Sequence, residues 1–545
     1  MLNAKIRVPT PSNEPVLSYA PGSPERKELK NVLTRMTAER IEIPLVIGGQ
    51  EVHSDTLGEV RMPHDHQHVL ATYHQAEAKQ VNAAIEAALA AKPAWEALGF
   101  AERAAIFLRA ADLLATRYRQ TLNAATMLGQ SKTAFQAEID AACELIDFLR
   151  FNVAFGAQLL ANQPQSARLT WNQMDYRALD GFVYAATPFN FTSIAGNLPT
   201  SPALMGNTVV FKPSPYAMFS NWHFFEMLRA AGLPPGVINL VQGDPAAITA
   251  TVLAHPDLGG VHYTGSTTVF ISIWRTVGEH MQEYHQYPRL VGETGGKDFI
   301  FAHASAGEDL EALAVAMVRG AFEYQGQKCS AAARAFIPAS IWPKLRERVV
   351  ALTREIKMGD VQDFRNFMGA VIHERSFEKI RGYLDYARSA NGVKILVGGK
   401  ADGRRGWFIE PTVIESESPK DRLMCEEVFG PVITVHVYPD AKYTDTLKLC
   451  DASTLYALTG SIFARDRTAI ATASQSLRHA AGNFYINDKP TGAVVNQQPF
   501  GGSRASGTND KAGSFLNIVR WTSPRSIKEN FAPPTTVDYP HQGAE

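Results

Sequence analysis

The chain has 545 residues, 45% of them hydrophobic and 20% charged, with 53 basic residues against 54 acidic ones. That length is enough for roughly three to four units of ~150 residues, each with its own core. A formal net charge of −1 argues against nucleic acid or an anionic membrane surface as a partner, and no apolar run is long enough to span a bilayer.

The opening stretch carries Pro9, Pro11, Pro15, Pro21 and Pro24 and reads as an irregular arm lying over the surface. It has neither an apolar h-region nor an Arg- and Ser-rich amphipathic pattern. A cytoplasmic location is therefore expected, and a processed mitochondrial matrix protein would read the same. Helices are expected from Ala78 onward, where Val81, Ile85, Ala88 and Leu89 recur at helical spacing and mark one buried face. Further helices are expected at 101–115 and 132–160. From Gly181 the pattern changes. Strands at 181–187, 208–212, 237–242 and 260–264 alternate with helices at 194–206, 216–231 and 245–253. Such alternation predicts a parallel sheet covered on both faces, with its ligand outside the carboxyl ends of the strands. A second α/β unit follows, with strands at 298–302, 333–337, 393–397, 432–438, 460–464 and 483–487. The tail at 517–528 reads as one more strand.

Four cysteines stand at positions 143, 329, 425 and 450. None forms a CxxC pair, so neither a disulfide framework nor a structural metal is expected. Cys329 differs from the others by its setting, Phe322-Glu323-Tyr324-Gln325-Gly326-Gln327-Lys328-Cys329-Ser330, a helix end followed by a glycine-bearing loop. Thiolate is the nucleophilic form and a free thiol has a pKa of ~8.5, so such a site has to help ionise it. Alone, Cys329 has the bland alternative of a buried apolar thiol, and Cys143, Cys425 and Cys450 keep that reading.

Other motifs point to the same chemistry. Gly292-Glu293-Thr294-Gly295-Gly296-Lys297 puts a glutamate at the mouth of a glycine turn, where it can act as general base toward water. Thr187-Pro188-Phe189-Asn190-Phe191 puts an uncharged amide donor at a strand end, suited to an oxyanion. Lys212 after one strand, with Gly265 and Ser266 opening a helix after another, makes a dinucleotide site in outline, although G-x-G-x-x-G is absent. Glu426-Glu427-Val428-Phe429-Gly430-Pro431 and Gln498-Pro499-Phe500-Gly501-Gly502 complete the series. Taken singly, a turn asparagine, a loop glutamate or a surface turn would explain any of these.

Taken in order, the motifs resemble the aldehyde dehydrogenase superfamily from about residue 40 to the end. Within it, 19–26, 136–142, 144–148, 187–191, 322–324, 327–330, 497–502, 504–511 and 520–524 are similar to the Δ1-pyrroline-5-carboxylate dehydrogenase (L-glutamate γ-semialdehyde dehydrogenase) subfamily. The resemblance implies an α/β fold with a Rossmann-like cofactor domain (1–165 and 185–296), an α/β catalytic domain (297–503) and a small β oligomerisation flap (166–184 and 504–545). It implies NAD-dependent oxidation of L-glutamate γ-semialdehyde to L-glutamate, the second step of proline catabolism. Cys329 would be the nucleophile, Glu293 the base and Asn190 the oxyanion donor. Lys212, Gly265, Ser266, Glu427 and Phe429 would bind NAD. Ser330, Gly492 and Ala493 would anchor the substrate carboxylate, Phe191 and Phe500 would clamp its chain, and Glu144 would receive its ammonium. A homodimer or higher oligomer, and a working link to a proline dehydrogenase, are expected partners.

The sequence departs from the superfamily pattern at Pro215, where an acid that repels a 2′-phosphate is usual, so NADP stays open beside NAD. The alternative reading is an aldehyde dehydrogenase acting on another aldehyde or semialdehyde. A CoA-acylating relative commonly lacks the base that Glu293 supplies, and a mere scaffold has no need of Cys329, Glu293 and Asn190 together.

Overall fold

The computed structural model describes residues 6–544. Two seven-stranded sheets organise it. In the first, Arg289–Glu293, Leu258–Thr264, Phe182–Ala186, Val209–Lys212 and Ile238–Leu240 run parallel, in that spatial order. Phe182, Tyr184 and Ala186 face one apolar core while Val183 and Ala185 face another. That period of two, with both faces buried, is why the strand reads as a continuous apolar run. The spatial order reverses between Phe182–Ala186 and Leu258–Thr264, which opens a crevice at the carboxyl ends.

The second sheet runs Val393–Val397, Thr412–Ser416, Val432–Tyr438, Ala332–Pro338, Asp298–Ala302, Thr459–Phe463 and Asn483–Ile486. Only its first strand is antiparallel to its neighbour. It too divides its side chains, with Ile300 and Ala302 in one core and Phe299 and Phe301 in the other.

Several elements differ from the sequence expectation. The opening arm leads at once into a helix, Pro24–Ala38, capped by Ser23, with Leu29, Leu33 and Met36 buried against the helix Arg119–Gln130. A three-stranded sheet follows (Ile41–Ile43, Asp65–His74, Leu57–Met62), and Leu45–Ile47 with Gln50–Val52 extends the first large sheet. Ordered structure thus begins well before Ala78. The long helix expected at 132–160 is broken into Ala134–Ala137, a π-helical stretch Glu138–Glu144, and Leu145–Ala161. The tail strand is Ser523–Asn530, preceded by a short helix, Phe515–Val519. That strand pairs antiparallel with Thr170–Arg177 as a free-standing two-stranded ribbon. Ile518 and Trp521, just before it, belong to the core of the first sheet.

Candidate active site

The loop before Cys329 is held under backbone strain. Tyr324 (φ 51°) and Gln325 (φ 55°) both adopt the left-handed conformation, followed by Gly326 at φ 65°. Each non-glycine residue there costs on the order of 1–3 kcal/mol and persists only when its surroundings over-determine it. They do so here. The Gln325 amide donates to Ser131 O at 2.9 Å and Ala370 O at 2.7 Å. The Tyr324 ring lies 4.5 Å from the buried Lys132 ammonium. A Cβ on Gly326 would stand 2.2 Å from Gly430 O, so the helix Leu310–Phe322 can turn sharply into the strand Ala332–Pro338 only with glycine at this point. Cys329 sits at the amino end of that strand. The carboxyl groups of Glu293, Asp298, Glu427 and Glu144 surround it, and burial together with those acids pushes its thiol well above the usual range. The site expected to ionise the thiol therefore holds it protonated at rest.

The first sheet supplies its groups from the carboxyl ends of its strands. After Phe182–Ala186 comes Asn190, whose amide donates to Gln327 O at 3.1 Å, two residues before the nucleophile. That uses one of its two N–H groups. After Arg289–Glu293 the chain passes Gly295 and Gly296, and a Cβ on Gly296 would stand 2.3 Å from Cys329 O. Bare backbone at this point lets the two loops meet. Burial pushes the Glu293 carboxyl up to about 8, with Lys511 opposing the shift and Asp510 adding to it. Lys212 ends Val209–Lys212; burial pulls its ammonium down to about 8, and no salt bridge to it occurs among the described residues. Ser266 caps the helix Thr267–Glu279 by accepting from Val269 N, with Gly265 packed on the Tyr263 ring. Glu427 reaches in from the second unit to accept from Gly296 N at 2.9 Å, and the Phe429 ring packs edge-on against Phe189. A buried lysine without an acid partner and a capped helix start, both after carboxyl ends of the first sheet's strands, suit the ribose and phosphates of a dinucleotide.

One cavity of about 280 Å³ collects the remaining expected residues: Glu144, Phe191, Glu293, Cys329, Ser330, Gly492, Ala493 and Phe500 all line it. Asn190 is buried behind the nucleophile loop and is not part of the lining. Ser330 Oγ shares a hydrogen bond of 2.8 Å with Thr491 Oγ1, which ties the nucleophile strand to the Gly492 turn (φ 96°). Glu144 ends the π-helical stretch; burial pushes its carboxyl up to about 8 while Ser193 donates to it at 2.8 Å. At that value it is mostly neutral at pH 7 until a cation approaches.

Other residues at the site escaped the sequence reading. Lys132 is fully buried, paired with Asp140 at 2.6 Å and 4.0 Å from the Phe191 ring. Asp140 in turn accepts from Thr192 N and Ser193 N, which fixes the turn carrying Asn190. The arm, expected on the surface, contributes Asn13, Glu14 and Val16 to the cavity wall. Asn13 donates to Asp147 and to Val495 O, and Glu14 pairs with Arg119 and Arg150. Acidic residues inside an otherwise apolar helix, at 138, 140, 144 and 147, were the available signal. Cys143 and Cys450 are buried, Cys425 is half-buried, and burial raises all three thiols.

The sequence pattern of the "Aldehyde dehydrogenase family" matches residues 51–526. The chain belongs to the aldehyde dehydrogenase family. A Dictyostelium discoideum protein named delta-1-pyrroline-5-carboxylate dehydrogenase, mitochondrial, is 50% identical over 99% of this chain and 97% of its own length. The crystal structure of the delta-pyrroline-5-carboxylate dehydrogenase from Mycobacterium tuberculosis bound with NAD superposes with a TM-score of 0.96, at 54% identity and with all of both chains covered. Proline utilization A from Bdellovibrio bacteriovorus, at 27% identity and a TM-score of 0.90, matches 96% of this chain over 53% of its own. The aldehyde dehydrogenase's two α/β units are the two sheets described above.

Proposed function

We propose that this aldehyde dehydrogenase oxidises L-glutamate γ-semialdehyde, the open form of Δ1-pyrroline-5-carboxylate, to L-glutamate with NAD, as the second step of proline catabolism. The observation that carries this reading is one shared cavity. It places Cys329 and Glu293 together with Ser330, Gly492, Ala493 and Glu144, groups suited to an α-amino acid. The two relatives named as pyrroline-5-carboxylate dehydrogenases, one bound with NAD, support it.

The Cys329 thiol gives up its proton to water as the aldehyde enters, and the thiolate sulfur adds to the aldehyde carbon. The free N–H of the Asn190 amide and the Cys329 backbone N–H stabilise the oxyanion that forms. When bound, NAD supplies the hydride acceptor that turns the thiohemiacetal into a thioester. Glu293 then takes a proton from the water that attacks the thioester, which releases the acid and restores the thiol. Its raised pKa suits a base working near neutrality. Lys212, Gly265 and Ser266 would hold the adenosine ribose and pyrophosphate, and Glu427 and Phe429 the nicotinamide ribose. Phe191 and Phe500 would clamp the aliphatic chain.

NADH formation with glutamate semialdehyde, acetaldehyde and succinate semialdehyde tests the proposal. Turnover of glutamate semialdehyde far faster than that of the simple aldehydes is expected. Turnover of the simple aldehydes alone would keep Cys329 and sink the roles of Ser330, Gly492 and Glu144.

The proposed division is a cofactor domain at 1–165 and 185–296, a catalytic domain at 297–503 and an oligomerisation flap at 166–184 and 504–545, and the ribbon of Thr170–Arg177 with Ser523–Asn530 falls inside that flap. A two-stranded ribbon is marginal in water by itself, and its exposed Trp171 and Ile527 support its use against a second copy. The proposed state is a homodimer or larger, and light scattering that finds only monomer would remove it. The likeness to part of proline utilization A supports a working link to a proline dehydrogenase. Among the described residues no helix is long and apolar enough to cross a membrane. For the compartment, the cytoplasm expected from the sequence stands beside a mitochondrial location, which the Dictyostelium relative's name supports.

A further inference from the structure

The lining of the cavity carries six carboxyl groups, on Glu14, Glu144, Asp147, Glu293, Glu323 and Asp510, against the cations Arg319, Lys328 and Lys489. Of the six, Glu144 and Glu293 are raised to about 8 and are mostly neutral near pH 7, and Glu14 and Asp510 pair with arginines outside the lining, so a substrate carboxylate needs a cation not already spent on another carboxylate. Backbone N–H groups at Gly492 and Ala493 bring only partial charges to offset it. Two of the three cations are already committed, since Arg319 Nε and Lys328 Nζ bind the two oxygens of Glu323 at 3.0 and 3.1 Å. Lys489 makes no salt bridge among the described residues; it only adds to the positive field that holds the Glu323 carboxyl low. Its ammonium lies 3.5 Å from where a Cβ on Gly492 would stand, and its Cβ lies 3.4 Å from where a Cβ on Gly320 would stand. The base of the side chain is thus fixed against the helix Leu310–Phe322, and its half-exposed charge is aimed at the turn of the carboxylate anchor.

We infer that Lys489 is a specificity-determining residue that supplies the uncommitted positive charge for the substrate carboxylate at the Ser330, Gly492 and Ala493 end of the cavity. The inference rests on the proposed substrate. Lysine suits the task as a compact point charge on a flexible stem. The ligand class it selects is an aliphatic aldehyde carrying a carboxylate at the far end, and the product amino acid with it.

The test compares wild type, K489M and K489R on glutamate semialdehyde and on propionaldehyde, with thermal melting as a check on folding and glutamate as a competitive inhibitor. K489M should raise KM for the semialdehyde about tenfold, the scale of one charge-assisted contact that is partly wet. It should weaken glutamate inhibition to a similar degree, with kcat, propionaldehyde turnover and melting temperature near wild type. K489R should recover most of the loss. An unchanged KM and unchanged glutamate inhibition in K489M would overturn the inference while leaving the substrate assignment standing. Equal damage to both aldehydes would show a structural role and overturn it as well. Wild-type enzyme that ignores glutamate semialdehyde would instead overturn the proposed function.

Discussion

The two seven-stranded sheets approach the site with opposite ends. The first offers the carboxyl ends of its parallel strands, where Asn190, Lys212, Ser266 and Glu293 follow in turn. The second offers an amino end: Cys329 precedes Ala332–Pro338, and the loop through Gly296 enters Asp298–Ala302 from the same side. The rule that ligands lie at carboxyl ends therefore locates the cofactor crevice and misses the nucleophile. The first sheet gains its site from helix starts and strand ends. The second gains its site from a strained, cross-braced loop.

Variants on each side separate the two contributions. Cys329→Ala, at the amino end, should abolish NADH formation while leaving the melting temperature near wild type; residual turnover above a percent would break the assignment of the second sheet as the source of the nucleophile. Glu293→Gln should leave thioester formation intact and slow its hydrolysis by roughly 10²–10⁴, visible in stopped flow as a burst of NADH before slow turnover. Asn190→Ala should cost about 10²–10³ in kcat, the scale of one oxyanion donor. Lys212→Met should weaken NAD binding by calorimetry roughly tenfold or more, without changing KM for the aldehyde; a shift in the aldehyde KM alone would contradict the division of labour. The smallest effect is in pH. Glu293 acts as base only when deprotonated, and burial pushes its carboxyl up to about 8, so kcat should climb as pH rises through about 8 and fall away below it. A rate flat from pH 6 to 9 would show that the thioester step does not wait for this carboxylate.

Much of the fold was legible because its strands are short apolar runs between helices of clear period, as in Phe182–Ala186 or Val432–Tyr438. The arm is irregular as expected, but the helix Pro24–Ala38 behind it was not legible among so many prolines, although Ser23 before Pro24, with Leu29, Leu33 and Met36 behind, carries the signs of a capped helix. The π-helical stretch was out of reach, since a one-residue slip of backbone bonding leaves no mark in composition. Among site residues, Glu144, Phe191, Glu293, Cys329, Ser330, Gly492, Ala493 and Phe500 line one cavity, and Asn190 lies outside its lining. Asn13 and Asp140 act through partners far away in sequence, and Lys132 and Lys489, though near Asp140 and Gly492 in the chain, stand in no motif that marks them.

The arm has a consequence for how the enzyme is made. Asn13 bonds Asp147 across 134 positions and Val495 across 482. Contacts of that span close late, because the chain between them must first be ordered. The earliest-synthesised part of the wall is then the last to dock. On refolding, catalytic competence should return after the bulk of the secondary structure, with the interval set by the search of a short proline-bearing strap for a pocket that only the finished molecule presents.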